Sequence, residues 1–244
     1  VIAGVVAEGA FQRMQVAALF AQLDTELAAA AEARRRSGDV ALEHDLGTGR
    51  HLQGQIAFAH LLRCSLRDED PFVDADVVAF TDEGERGALA GERNPAYAML
   101  HAQRVTVTRA ADEGALPELR LQAFDRVLGN LHDVQGGCER IKKTPFPRGY
   151  GFIAERLIMA FACLLPFALV RDLGWFTVPM NLLVCLSFAL ISEAGRVLED
   201  PFTMFFNGLP LSAMSKTIEV NLRQRLGETD VPAIPKPDAR GILM

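Results

Sequence analysis

The run from Leu173 to Ser192, LGWFTVPMNLLVCLSFALIS, is 20 residues long and carries no charge. As a helix it extends about 30 Å, the thickness of a bilayer's hydrocarbon core. A helix of that length in water needs a polar face. This run offers only Thr177, Asn181 and Ser187, with Ser192 at its end. It therefore reads as a transmembrane helix, with Trp175 near one end, where an amphipathic ring favours the interface. A second apolar run, Gly151 to Val170, precedes it. Its uncharged part, from Leu157, gives a helix of only about 21 Å, so the span takes in Glu155 and Arg156, and Arg156 snorkels along its stem. A buried helix of a globular domain is the competing reading for this second run. Pro166 and Pro179 are awkward inside a soluble helix, whereas neighbouring helices in a bundle can satisfy the carbonyls a proline frees. Only Arg171 and Asp172 separate the two runs, which predicts an antiparallel hairpin with both outer ends on one side. Arg140, Lys142, Lys143 and Arg148 lie just before it, and the positive-inside rule makes that side the cytoplasm.

Composition sharpens the contrast. Charged residues make up 23% of the chain and the net charge is −6, yet Gly149 to Ser192 carries only Glu155, Arg156, Arg171 and Asp172. A disordered chain, a collagen-like repeat and a disulfide-rich secreted module are all excluded. Three regions follow: a mainly cytosolic helical region over 1–148, the hairpin over 149–192, and a cytosolic C-terminal segment and tail over 193–244. The expected fold class is all-α, a membrane hairpin with a cytosolic helical domain. Strong helix formers predict helices over Met14 to Arg36 and Gln53 to Arg67. Asp68 to Gly91 is acidic and turn-rich, a loop or short helices. Asn94 before Pro95 is an N-cap and first-turn pair opening a helix to about Ala111. Leu121, Phe124, Leu128 and Leu131 have helical spacing within Leu116 to Lys143. Val105-Thr106-Val107-Thr108 is the one short alternating pattern. Pro232, Pro235 and Pro237 make the tail from Gly227 extended. The chain begins at Val1, so a processed start or a missing N-terminal part is expected.

Catalytic and metal signatures do not emerge. Cys64, Cys138, Cys163 and Cys185 form no CxxC pair, and two of them fall in the apolar runs. His44, His51, His60, His101 and His132 form no HExxH or other ligand pair. His60 sits among core-type residues and reads as a structural histidine. Gly47-Thr48-Gly49 matches no phosphate loop. No Ser/His/Asp arrangement can be built. The acidic balance argues against nucleic-acid binding, and the arginines ending at Arg36 read as a solvated helix end. The expectation is a non-enzyme with no cofactor and no metal.

Three stretches carry a resemblance. Cys138-Glu139-Arg140-Ile141-Lys142-Lys143-Thr144-Pro145-Phe146-Pro147 leads into the first apolar run. Glu199-Asp200-Pro201-Phe202 precedes Asn207-Gly208-Leu209-Pro210-Leu211. Gln55-Ile56-Ala57-Phe58-Ala59-His60-Leu61-Leu62-Arg63 lies in the matching order upstream. Together, over roughly residues 50–225, these resemble the bestrophin family, in its bacterial branch. The resemblance implies a homopentameric ion channel of the inner membrane, multi-pass, with the polar region mostly cytoplasmic. Its partners would be copies of itself, membrane lipid and small inorganic ions, with no nucleic acid. The hairpin would be the third and fourth membrane helices, and the tail would lie against neighbouring subunits. A cytosolic constriction would fall near Gln122, or at Leu121 or Leu119 if the register slips. A packed helical turn is the plain alternative for all three. Cys138, Glu139, Arg140, Ile141, Pro145, Pro147, Glu199, Asp200, Pro201, Phe202 and Asn207 would be motif positions of structural or gating character. Pro145 and Pro147 would shape the approach to the membrane helix. Glu199, Asp200 and Asn207 read equally well as helix-end and turn residues.

Departures from the family pattern bear on function. The family's pore neck lies on the second membrane helix, which would precede this sequence or lie near its start. Gly195-Arg196-Val197 stands where acidic residues are common, and Thr203-Met204-Phe205-Phe206 replaces a glycine-led polar stretch. Gly208 stands where an aspartate is usual, which argues against a calcium clasp. The leading reading is a channel subunit for small monovalent ions, with chloride and other anions favoured by the family. A monovalent-cation channel and a non-conducting, membrane-anchored helical interaction protein are the alternatives.

Overall fold

In a computed structural model of the chain, the described residues are 48–114, 117–144, 148–199, 201–202, 208–225 and 227–237. The helix expected over Met14 to Arg36 lies outside them, as does Gly47. Among the described residues every regular element is helical and no strand occurs. In chain order these are α1 (Thr48–Arg67), α2 (Ala75–Phe80), α3 (Glu83–Ala90), α4 (Pro95–Asp112), α5 (Glu118–Lys143), α6 (Arg148–Leu173), α7 (Thr177–Glu199) and α8 (Leu211–Arg225). A single 3-10 turn, Gly174–Phe176, joins α6 to α7. The described residues form two compact units. One runs from Ile141 to Gly208; the other holds those up to Arg140 and those from Leu209 onward.

In the second unit α1 is the central element. Ile56, Ala57, Phe58, Ala59, Leu61, Leu62, Cys64 and Leu66 are all buried, so the helix has no solvent face over three turns. A helix apolar all round must be surrounded, and α1 packs against α8, α4 and α2. Its end is defined locally: Asp68 takes a positive φ of 56°, and the Glu69 N–H bonds the Cys64 carbonyl at 3.0 Å.

The acidic stretch after α1 resolves into two short, capped helices. Asp74 Oδ1 accepts from the Asp76 and Val77 N–H groups at 3.1 and 3.2 Å. Asp82 and Glu85 form a reciprocal capping box. Asn94 caps α4 as expected, its Oδ1 accepting from the Tyr97 N–H at 3.1 Å. The alternating Val105 to Thr108 pattern is helical within α4. Thr106 and Thr108 return their hydroxyls to the carbonyls four residues back, Ala102 and Arg104. Val107 packs with Ala110 and Phe124. Alternation over four residues is too short to outweigh the buried contacts a helix makes here. On α5, Phe124, Leu128 and Leu131 are buried, as their spacing predicts.

The first unit contains the hairpin. The stretch Glu155–Gly195, 41 residues, is long and apolar enough to cross a membrane, and none of its most apolar window is buried. The reversal lies later than Arg171 and Asp172, which form the last turn of α6. Gly174 makes it, at φ +52°, in the left-handed region that glycine enters without a Cβ clash. Trp175 is therefore in the turn rather than in α7, and it is 93% exposed. Pro179 is correspondingly not interior. It is the third residue of α7, within the first turn, where an N–H has no intrahelical partner to lose. Pro166 does lie inside α6. The two arms touch through Phe161 and Phe188, edge to face at 5.9 Å, and through Asn181 Nδ2, which donates to the Ala162 carbonyl at 3.4 Å.

Phe58 is fully buried in α1. Phe58→Ala is expected to lower stability by about 3–5 kcal/mol, the range for deleting a buried phenyl group. Thermal unfolding monitored by circular dichroism measures it.

Candidate functional site

Two features of the structure carry chemistry beyond packing: a charged cluster between α1, α2 and α8, and the exposed start of α5.

The cluster is centred on Glu219. It lies on the face of α8 that also buries Leu211, Ile218 and Leu222, and its side chain is only 2% exposed. Glu219 Oε2 accepts from Lys216 Nζ at 2.8 Å and lies 3.2 Å from His60 Nε2. A carboxylate can only accept, so Nε2 carries the proton. Glu219 Oε1 accepts from Arg223 Nη1 at 3.2 Å. Lys216 also reaches Asp76 Oδ1 on α2, at 2.8 Å. His60 is fully buried, stacks on Phe80 at 6.2 Å, and its Nδ1 lies 3.8 Å from Asp76. The histidine is thus held by Glu219 and by its stacking on Phe80, while Nδ1 faces Asp76 beyond hydrogen-bond distance. Burial works against the charged form of Glu219. The hydrogen bonds from His60 and Lys216, with the lysine's charge, outweigh it and bring the carboxyl down to about 2. Lys216 is raised: burial opposes its charge, and the bonds to Asp76 and Glu219 more than offset that.

A neighbouring group extends the network along α1. Arg63 donates to Asp74 Oδ2 at 2.6 Å, so the α2 cap is also an ion-pair partner. Arg67 donates to Ser212 Oγ at 2.7 Å and to the Leu209 carbonyl at 3.3 Å, tying the start of α8 to the end of α1. Cys64, Glu69 and Asp74 place ligand-type atoms within 4.8 Å of one another. Both Asp74 oxygens are already used, by Arg63 and by the cap. Burial pushes the Cys64 thiol up to about 11, so it keeps its proton at neutral pH. That chemistry suits a capped helix end better than a cation.

The expected site residues fall into distinct environments. Leu119 is 80% exposed and Gln122 is exposed, three residues apart on one side of the first turns of α5. Leu121 faces the other way, half-buried against Val107, Ala110 and Phe124. Cys138 is buried, and burial pushes its thiol up to about 12. Glu139 accepts from Asn94 Nδ2 at 2.7 Å and Gln135 Nε2 at 2.8 Å, linking α5 to the α4 cap. Arg140 is exposed and Ile141 half-buried, while Pro201 and Phe202 are buried. Glu199 is the last residue of α7. Pro145, Pro147, Asp200 and Asn207 lie outside the described residues. Sequence reasoning missed Glu219, Lys216, Arg223, Asp74 and Asp76. The one signal was Lys216, Glu219 and Arg223 at spacings of three and four, close to the apolar positions Leu211, Ile218 and Leu222.

Comparisons with known proteins decide the family. The profile described as "Bacterial/Fungal Bestrophin protein" matches residues 36–224. The chain belongs to the bacterial and fungal bestrophin family. It is 34% identical over 187 residues to the "Voltage-dependent anion channel-forming protein YneE" of Salmonella typhi, covering 76% of this chain and 60% of that protein. It is 37% identical over 172 residues to a protein of the same description from Ralstonia nicotianae, covering 70% of this chain and 56% of the relative. The chain therefore spans about 60% of the length of the Salmonella protein it matches. A bacterial bestrophin homologue from Klebsiella pneumoniae superposes with a TM-score of 0.84 at 28% identity, over 93% of this chain and 83% of that one. A further match, at TM-score 0.84, is described only as a membrane protein. Bestrophin relatives are membrane proteins, which agrees with the exposed hairpin.

Glu219→Gln leaves Lys216 without its buried carboxylate and is expected to cost about 3–5 kcal/mol, the range for breaking a buried pair from one side. The pH dependence follows from the lowered carboxyl. Its contribution is complete above the ordinary value of 4.5 and is lost as pH falls toward about 2. Thermal unfolding of wild type and Glu219→Gln between pH 5 and pH 2 tests both, since the variant loses that part of the acid dependence.

Proposed function

We propose that the chain forms part of a subunit of an anion-conducting channel, assembled from five identical copies in the bacterial inner membrane. One observation carries the reading: an apolar hairpin with none of its apolar window buried, in a chain whose fold matches a bestrophin homologue over 93% of its length. The relatives' description as voltage-dependent anion channel-forming proteins supports anions as the conducted species. Arms of 26 and 23 residues are each long enough to span the hydrocarbon core. In this reading α6 and α7 cross the membrane, and residues 1–148 and 193–244 lie on the cytoplasmic side. Arg140, Lys142, Lys143 and Arg148 sit at the inner interface.

The conduction step needs no nucleophile, cofactor or resident metal. A pore selects through the side chains and helix ends at its constriction, and an apolar constriction gates by dewetting. Of the three candidate positions on α5, Leu119 and Gln122 are exposed and could face such a pathway, whereas Leu121 is turned into the α4 contact. Of the remaining motif residues, Cys138 and Glu139 hold α5 in place, and Phe202 is buried packing.

Reconstitution of the full-length protein in planar bilayers under asymmetric potassium chloride tests the proposal. The reversal potential is expected near the chloride equilibrium potential. Reversal near the potassium potential would assign a cation channel, and absence of current would assign a membrane-anchored interaction protein. In the same assay Leu119→Ser is expected to change single-channel conductance with little effect on stability. Leu121→Ser should do the reverse, lowering stability by about 1–3 kcal/mol.

A further inference from the structure

Arg223 makes contacts that the charged cluster alone does not require. It lies in the last turn of α8, and the chain turns back immediately after it. Gly227 takes φ +82°, the left-handed conformation that ends a helix, and the Glu228 N–H bonds the Arg223 carbonyl at 3.1 Å. This turn brings the base of the C-terminal tail under the guanidinium. Arg223 Nε donates to Glu228 Oε2 at 2.6 Å, and Nη2 donates to the Asp230 carbonyl at 2.9 Å. Its remaining terminal nitrogen, Nη1, donates inward to Glu219 Oε1. All three nitrogens of one planar group are used, two on the tail and one on the buried cluster. Lysine, with a single donor head, cannot make that arrangement.

The tail itself is preset. From Thr229 to Pro237 it forms neither helix nor strand, and Pro232, Pro235 and Pro237 fix their own φ. Val231, Pro232 and Pro235 are half-buried, while Ala233, Ile234, Lys236 and Pro237 are exposed. Such a segment loses little conformational entropy on docking, so a few bonds at its base are enough to hold it.

We infer that Arg223 is a latch fastening the C-terminal tail to the Glu219 cluster, so that the order of residues 228–237 is coupled to the packing of α1, α2 and α8. The two sides of the latch differ in environment. The inner partner, Glu219, is 2% exposed, and the outer partner, Glu228, is 41% exposed. Salt screens exposed pairs and largely spares buried ones. The outer side therefore opens first, leaving Arg223 on Glu219 and the tail free. Loosening the cluster removes the inner anchor of Arg223 and so frees the tail, whereas opening the outer side leaves the buried Arg223–Glu219 pair in place.

Hydrogen exchange on the full-length protein in lipid nanodiscs tests the latch. In Arg223→Ala, exchange over 227–231 is expected to accelerate roughly tenfold or more, the loss of the two hydrogen bonds that the guanidinium makes to the tail. Glu228→Gln cuts only the outer side and leaves the cluster intact. It leaves the Nη2 bond to the Asp230 carbonyl, so it should accelerate the tail less than Arg223→Ala while residues 55–66 stay protected, and Arg223→Lys should fall between wild type and alanine. Raising the salt concentration should accelerate the wild-type tail and leave Glu228→Gln unchanged. Unchanged tail exchange in both Arg223→Ala and Glu228→Gln overturns the latch. Loss of protection over 55–66 in Glu228→Gln also overturns it, because Glu228 would then be part of the cluster rather than its outer fastening.

Discussion

The structure depends first on where the apolar surface of the hairpin can go. Glu155 to Gly195 presents its most apolar window entirely outward. That surface needs a cover, which hydrocarbon or neighbouring apolar helices supply, and hydrocarbon offers no hydrogen bonds to the backbone. Two helices joined by a minimal turn meet the condition, because each satisfies its own carbonyls and N–H groups. Two polar side chains in the arms follow the same rule. Ser187 returns its hydroxyl to the Leu183 carbonyl, and Asn181 donates across to Ala162. Arg171 and Asp172 lie in the last turn of α6, next to the reversal, and Arg156 lies over the Phe152 ring near the other end. A proposed conduction role rests on this segregation.

The other unit solves the opposite problem, keeping charge inside a helical core. Buried ion pairs contribute little net stability against a well-packed apolar core, but losing one partner is costly. Their effect is therefore on specificity. Glu219 accepts only if α1 supplies His60 and α8 supplies Lys216 and Arg223, and Lys216 in turn fixes Asp76 on α2. Arg67 and Ser212 add a second bond between the same two helices. Register between α1 and α8, separated by more than 140 residues of chain, is set by these pairs. Apolar contacts alone would tolerate sliding.

Much of this was legible beforehand where the signal was local. Asn94 and Pro95 opened α4 as their residue types dictate, and the spacing of Phe124, Leu128 and Leu131 gave the buried face of α5. The two apolar runs gave the hairpin. Local signals misled where a longer-range contact decided. Val105 to Thr108 alternates like a strand, yet Val107 has a core to fill on the helical side. Arg171 and Asp172 look like a turn because they are charged, yet only Gly174 can take the required φ. For the candidate site, the resemblance pointed to three neighbouring positions on α5, but the pattern could not say which of them the fold leaves exposed. Packing against Val107 answered that, turning Leu121 inward and leaving Leu119 and Gln122 exposed.

An all-helical fold with an apolar hairpin was already written in the residues, and the motifs placed the chain among the bestrophins. Those properties follow from composition, periodicity and short patterns, each readable within a window of the chain. That His60, Asp76 and Glu219 come together, and that Arg223 joins this buried cluster to the tail, emerged from the fold alone. The reason is physical. A charged residue looks solvated in any local window, and its cost of burial can be offset only by partners that folding brings from distant parts of the chain.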